Sequence, residues 1–109
     1  MLSNDIISEI IGGLCGIFGT KLDCIILYGS VVRGEETNES DIDIVMVLNR
    51  SITEQEKDKF LEWNASLDLK FDKVFSIIDV EKNTMEKWQN IVPFYKNIIN
   101  EGVVLWKAA

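Results

Sequence analysis

Asp41 and Asp43 flank a single isoleucine at the head of an apolar run, DIDIVMVL. In an extended strand, residues i and i+2 leave the same face, so the two carboxylates stand roughly 7 Å apart. Ile42, Ile44, Val45, Met46 and Val47 mark the strand as buried. Two ionised carboxylates at a buried edge repel each other, and one tends to hold a proton. A divalent cation removes that conflict and is readily bridged by oxygens at this spacing. Upstream, with ten residues between, the pair Gly29-Ser30 closes another apolar run, LDCIILY. A strand that enters Gly-Ser and then a helical turn presents backbone N–H groups and a hydroxyl to phosphate oxygens, and glycine leaves the approach clear. A loop for phosphates beside a strand for cations is what two-metal phosphoryl and nucleotidyl transfer requires.

A third acid is within reach in the sequence. Asp72 opens the next apolar alternation, with Val74, Ser76 and Ile78 on its face. It joins the pair if that strand lies beside residues 41–48, while Asp68, at the end of the preceding helix, is the competing candidate. Arg33 lies one turn past Gly29-Ser30. It either contacts phosphates or ties the loop down by pairing with Glu35, Glu36 or an aspartate. Glu35, Glu36 and Glu39 read as a solvated loop face, and Ser40 as a cap or turn into the strand. A calcium loop around Asp41 and Asp43 is a poor reading, because its glycine and distal glutamate are missing.

The elements that must hold these residues are legible by period. Ile6, Ile7, Ile10, Ile11, Leu14 and Phe18 recur at helical spacing. Leu22 to Tyr28 reads as a buried strand, and VVRGEETNES as one helical turn and a loop. Asp41 to Leu48 reads as a second strand. Thr53 with Glu56 is a capping-box signature that opens a helix to about Leu67, with Phe60, Trp63 and Leu67 on its core side. Asp72 to Ile78 reads as a third strand, and Thr84 to Gln89 as a short helix. Pro93 opens another helix that ends near Glu101-Gly102, and Val103 to Trp106 reads as a short edge strand. Trp63, Trp88 and Trp106 are expected to pack, and Tyr28, which precedes Gly29-Ser30, to be core in preference to lining a pocket there. Phe94 and Tyr95 are open between core and a partner-binding face. The interleaving predicts an α/β fold, a small mixed sheet covered by helices.

Composition narrows the chemistry. The 109 residues carry 47% hydrophobic and 27% charged side chains, the profile of one soluble globular domain spanning residues 1–109. No histidine is present, which excludes histidine general-base catalysis and Ser-His-Asp chemistry. Cys15 and Cys24, the two cysteines, form no Cys-x-x-Cys pair and read as apolar fillers. They make a reduced, cytoplasmic protein the default expectation. The net charge of −7 argues against a nucleic-acid-coating surface. The first apolar segment lacks a basic flank and is too short to span a bilayer, so neither a signal peptide nor a membrane span is expected.

Gly-Ser, ten residues and Asp-x-Asp together resemble the signature of the polymerase-β-like nucleotidyltransferase superfamily. The run LYGSVVRGEETNESDIDIVMVL is similar to its minimal, stand-alone branch, and the ending PFYKNIINEGVVLW to the tail of small bacterial members. The resemblance covers nearly the whole chain, from the first helix to Trp106. It implies that Gly29 and Ser30 bind phosphate, that Asp41 and Asp43 hold two magnesium ions, and that Asp72 is the third carboxylate. The reaction it implies is in-line attack on the α-phosphate of a nucleoside triphosphate, with release of pyrophosphate. In the minimal branch many members are antitoxins of a helical HEPN-domain toxin, and some add AMP from ATP to a tyrosine of that toxin. The expectation is therefore a magnesium-dependent transferase of AMP from ATP to a protein hydroxyl, acting as antitoxin to a HEPN partner. One rival is a nucleotide- or metal-binding antitoxin module acting by contact alone. Another is an aminoglycoside-type small-molecule transferase, with a homo-oligomer building the acceptor pocket between subunits.

Overall fold

The periodic N-terminal segment forms helix α1 (Asn4–Phe18), begun by Ser3, whose hydroxyl accepts the Ile6 N–H. Ile6, Ile10, Leu14 and Phe18 form its buried stripe. A short 3-10 turn leads into strand β1 (Leu22–Tyr28), which is followed by one helical turn, α2 (Ser30–Arg33). Next come β2 (Ile42–Leu48), α3 (Glu54–Phe71) and β3 (Phe75–Glu81). The chain ends in α4 (Lys82–Trp88), α5 (Pro93–Glu101) and β4 (Val103–Lys107). This computed structural model describes residues 2–35, 37 and 41–109, so the expectations for Glu36, Glu39 and Ser40 lie outside the described residues.

Among the described residues the strands form one sheet in the order β3-β2-β1-β4. It is mixed: β1 runs antiparallel to β2 and β4, and β2 runs parallel to β3. Alternation along β1 and β2 divides the core in two. Ile25, Leu27, Ile42, Ile44, Met46 and Leu48 pack with α1 and Leu67 of α3. Cys24, Ile26, Val45 and Val47 pack on the other face with Ile98 of α5 and Met85 of α4. Asp43 shares the parity of Val45 and Val47, so it belongs to the face that α5 covers.

Three expectations need correction. The third strand starts at Phe75, not at Asp72, because α3 runs on to Phe71. Phe71 lies one turn past Leu67, joins the first core cluster and meets Phe75 edge-on at 6.2 Å, which rewards the extra helical turn. Trp88 is 40% exposed rather than packed, with the Lys87 ammonium over its ring. Tyr28 joins the second core cluster and also lines a cavity, so it is not core alone. Trp63 packs as expected, and so closely that a Cβ on Gly13 would run into its indole.

Candidate active site

The β1–β2 register pairs Tyr28 with Asp43. The turn that leaves β1 therefore lands beside the acid-bearing start of β2. Gly29 makes that turn at φ 80° and ψ −154°, a conformation that residues with a side chain strongly avoid. Space demands glycine as well: a Cβ there would sit 2.4 Å from Asp43 Oδ2. The backbone thus passes against the carboxylate with nothing between them. α2 is pinned by buried Val31, and Gly34 ends it in the left-handed conformation, with its N–H donating back to Ser30 and Val31. The Glu35 N–H donates to the Ser30 carbonyl at 2.9 Å.

Arg33 Nε forms an exposed ion pair with Glu35 Oε2 at 3.3 Å. It also lines a cavity of about 290 Å³ with Tyr28, Gly29 and Asp43. Burial holds the Asp43 carboxyl above the usual carboxylate range, and Asp41 adds to the rise, while Arg33 opposes it. The repulsion expected from the DID spacing is thus present. Asp41, just before the strand, is exposed.

The third acid is placed differently. Asp72 is the C-cap of α3, in the left-handed conformation at φ 51°. It precedes Val74, whose carbonyl accepts the Ile42 N–H at 2.8 Å. Asp72 therefore lies at the same end of the sheet as Asp41, in a turn rather than on the strand. The β3 residue opposite Asp43 is Ser76. Asp68 has structural work: its Oδ1 accepts the Phe75 N–H at 2.9 Å, and Asn64 donates to the Phe75 carbonyl. Among the described residues no three His, Cys, Asp or Glu side chains gather to hold a metal. Asp41 and Asp43 still fit magnesium, which takes one or two carboxylates and leaves its other positions to water and substrate phosphates.

The opposite wall of the cavity comes from α5, through Phe94, Asn97, Ile98 and Glu101. Sequence reasoning left Phe94 open and missed Asn97 and Glu101, since no motif ties them to residues on β1 and β2. The period itself held the only signal: positions 94, 97 and 101 share a helical stripe beside buried Ile98. Larger depressions exist, of about 460 Å³ beside α1 and about 580 Å³ around Trp106. Neither touches the glycine turn or the acid pair.

Residues 17–109 match the family described as "Polymerase beta, Nucleotidyltransferase". Two proteins of Methanocaldococcus jannaschii are similar along their length. "Putative protein adenylyltransferase MJ0141" is 35% identical over 99 residues, 91% of this chain and 94% of the relative. A second protein with the same description, MJ0604, is 32% identical over 100 residues, 92% of this chain and 94% of the relative. The fold is shared with a chain of a toxin–antitoxin crystal structure with AMP-PNP, at a TM-score of 0.60 and 22% identity, over 94% of this chain and 73% of that one. It is also shared with a chain of the tri-AMPylated Shewanella oneidensis HEPN toxin–MNT antitoxin complex, at a TM-score of 0.58 and 19% identity, over 98% of this chain and 74% of that one. The family match over most of the chain, joined by relatives aligned almost end to end, makes this chain a member of the polymerase β nucleotidyltransferase family and its activity that of a nucleotidyltransferase.

Proposed function

We propose that this nucleotidyltransferase uses magnesium and ATP to place AMP on a hydroxyl of a protein partner, and that it acts as the antitoxin of a HEPN-type toxin. One observation carries the reading: the Gly29 backbone lies against Asp43 at the wall of a cavity that Arg33 also lines. The descriptions of the Methanocaldococcus jannaschii relatives support a protein acceptor. The fold shared with a HEPN toxin–MNT antitoxin complex motivates the choice of partner.

In this reading Asp41 and Asp43 hold magnesium, two ions in all, together with the triphosphate. The Ser30 hydroxyl and the backbone N–H groups of its turn donate to phosphate oxygens. Arg33 exchanges Glu35 for a phosphate, a better partner for its planar fork. Asp72 serves as the third acid from its turn. Bound magnesium supplies charge neutralisation at the phosphates and acidifies the attacking hydroxyl. The acceptor oxygen bonds to the α-phosphorus as the bond to the leaving pyrophosphate breaks, and the hydroxyl proton is lost to a site carboxylate.

A second reading, a non-catalytic module that neutralises its partner by contact, draws on the absence of a third acid beside Asp43 among the described residues. An assay with α-phosphate-labelled ATP, magnesium and cell lysate decides between the two. A labelled protein band with wild type and none with Asp43→Asn supports transfer. No band with any of the four nucleotides overturns it in favour of the module.

A further inference from the structure

Resting on the nucleotidyltransferase reading, we infer that the α5 stripe of Phe94, Asn97 and Glu101 is the seat of the nucleoside half of the substrate. The cavity has two chemically distinct walls. One carries Gly29, Arg33 and Asp43, which suit phosphates and their cation. The other is α5, held firmly in place. Its Ile98 is buried against Ile26, Val45 and Val47, and a Cβ on Gly102 would meet Ile26 Cγ2 at 2.4 Å. A helix seated this tightly presents its flanking residues at fixed positions.

Phe94 and Glu101 are unsuited to phosphate, and with Asn97 they suit a ribose and base. Phe94 leaves 39% of its surface exposed while its ring is steadied edge-on by Tyr28 at 6.0 Å and at a tilt by Tyr95 at 5.7 Å. A steadied, open ring is a surface for a heterocycle. Asn97 both donates and accepts, and Glu101 accepts from hydroxyl or amino groups. Glu101 also stands in the last turn of α5, where no basic residue offsets it. An acid there works against the helix dipole. Departures from local rules of this kind concentrate at functional sites. Its charge repels phosphate and turns the triphosphate towards Arg33, so the cavity orients its ligand end to end.

The test compares the magnesium complexes of ATP and inorganic tripolyphosphate by calorimetry, for wild type, Asn97→Ala, Glu101→Ala and Phe94→Ala. Loss of one hydrogen bond should weaken ATP about 3- to 10-fold in Asn97→Ala, and loss of the ring about tenfold in Phe94→Ala. Tripolyphosphate should bind every variant as it binds wild type, or more tightly in Glu101→Ala. Asn97 is exposed, so its variant remains informative if Phe94→Ala loosens the helix. Unchanged ATP affinity in the variants, or equal losses for both ligands, would overturn the inference and leave the phosphate and metal site standing. A wild type that binds neither ligand would overturn the nucleotidyltransferase reading and this inference with it.

Discussion

Asp43 carries its charge against burial and against Asp41, with Arg33 favouring ionisation. An acid whose pKa is raised in the fold stabilises the protein only below that pKa, and the benefit is lost as pH rises through it. At neutral pH the ionised group is therefore a liability to the fold. Asp43→Asn should raise the melting temperature at pH 7 while transfer falls by about 100-fold or more. An unchanged transfer rate would remove Asp43 from the site. Gly29→Ala should do the reverse on stability, costing about 1–3 kcal/mol from backbone strain, and should lose transfer because the methyl displaces the carboxylate. For the third acid the expected ranking is equally definite. Asp72→Asn keeps a residue that tolerates the left-handed conformation, so melting should hold and labelled product should fall. Asp68→Ala strips the acceptor from the Phe75 N–H and should cost about 1–3 kcal/mol with the smaller effect on rate. The reverse ranking would transfer the ligand role to Asp68.

At the level of elements, the best-specified start is that of α3. Thr53 and Glu56 exchange the two hydrogen bonds of a capping box, and Lys21 adds its ammonium to Glu56 and to the Ser51 carbonyl. The Lys21 hydrogen bond, helped by the Thr53 N–H, pulls the Glu56 carboxyl down from 4.5 to about 2. A depressed acid stabilises above its ordinary pKa and loses that effect as pH falls. The stability gap between wild type and Glu56→Gln should therefore be full above pH 5 and close between about pH 4.5 and 2, as followed by denaturant unfolding. A gap that stays constant across that range would mean that the Lys21 contact adds nothing. The box was legible in the sequence because its logic is local, as were the two buried strands and the Gly29-Ser30 turn. The start of β3 was not. Asp72 and Val74 to Ile78 alternate like a strand, but the packing of Phe71 on the first core cluster, a tertiary effect, carries the helix past Leu67. The α5 wall was hidden for a related reason: Asn97 and Glu101 acquire their meaning only when Ile98 docks on β1.

For the molecule as a whole, the candidate site lies where β1 ends, β2 begins and α5 crosses, so a ligand there would bridge segments distant in sequence. Binding to the folded state alone adds about 2.7 kcal/mol at a ligand concentration 100-fold above Kd. Magnesium with ATP should raise the melting temperature, chelation should abolish the rise, and Asp43→Asn should show none of it. The strand order has a consequence in time as well as in space. β1 and β2 are the interior strands, each bonded on both sides, while β3 and β4 form the margins. Marginal strands open in partial fluctuations at little cost, whereas interior amides exchange with solvent only when the whole domain unfolds. The amides of Ile25–Leu27 and Ile44–Val47 should thus outlast those of Val103–Trp106 in deuterium. The acid pair and its glycine turn hang from the slowest-exchanging backbone, so catalysis should persist through fraying of the margins and vanish in the same cooperative step as the fold.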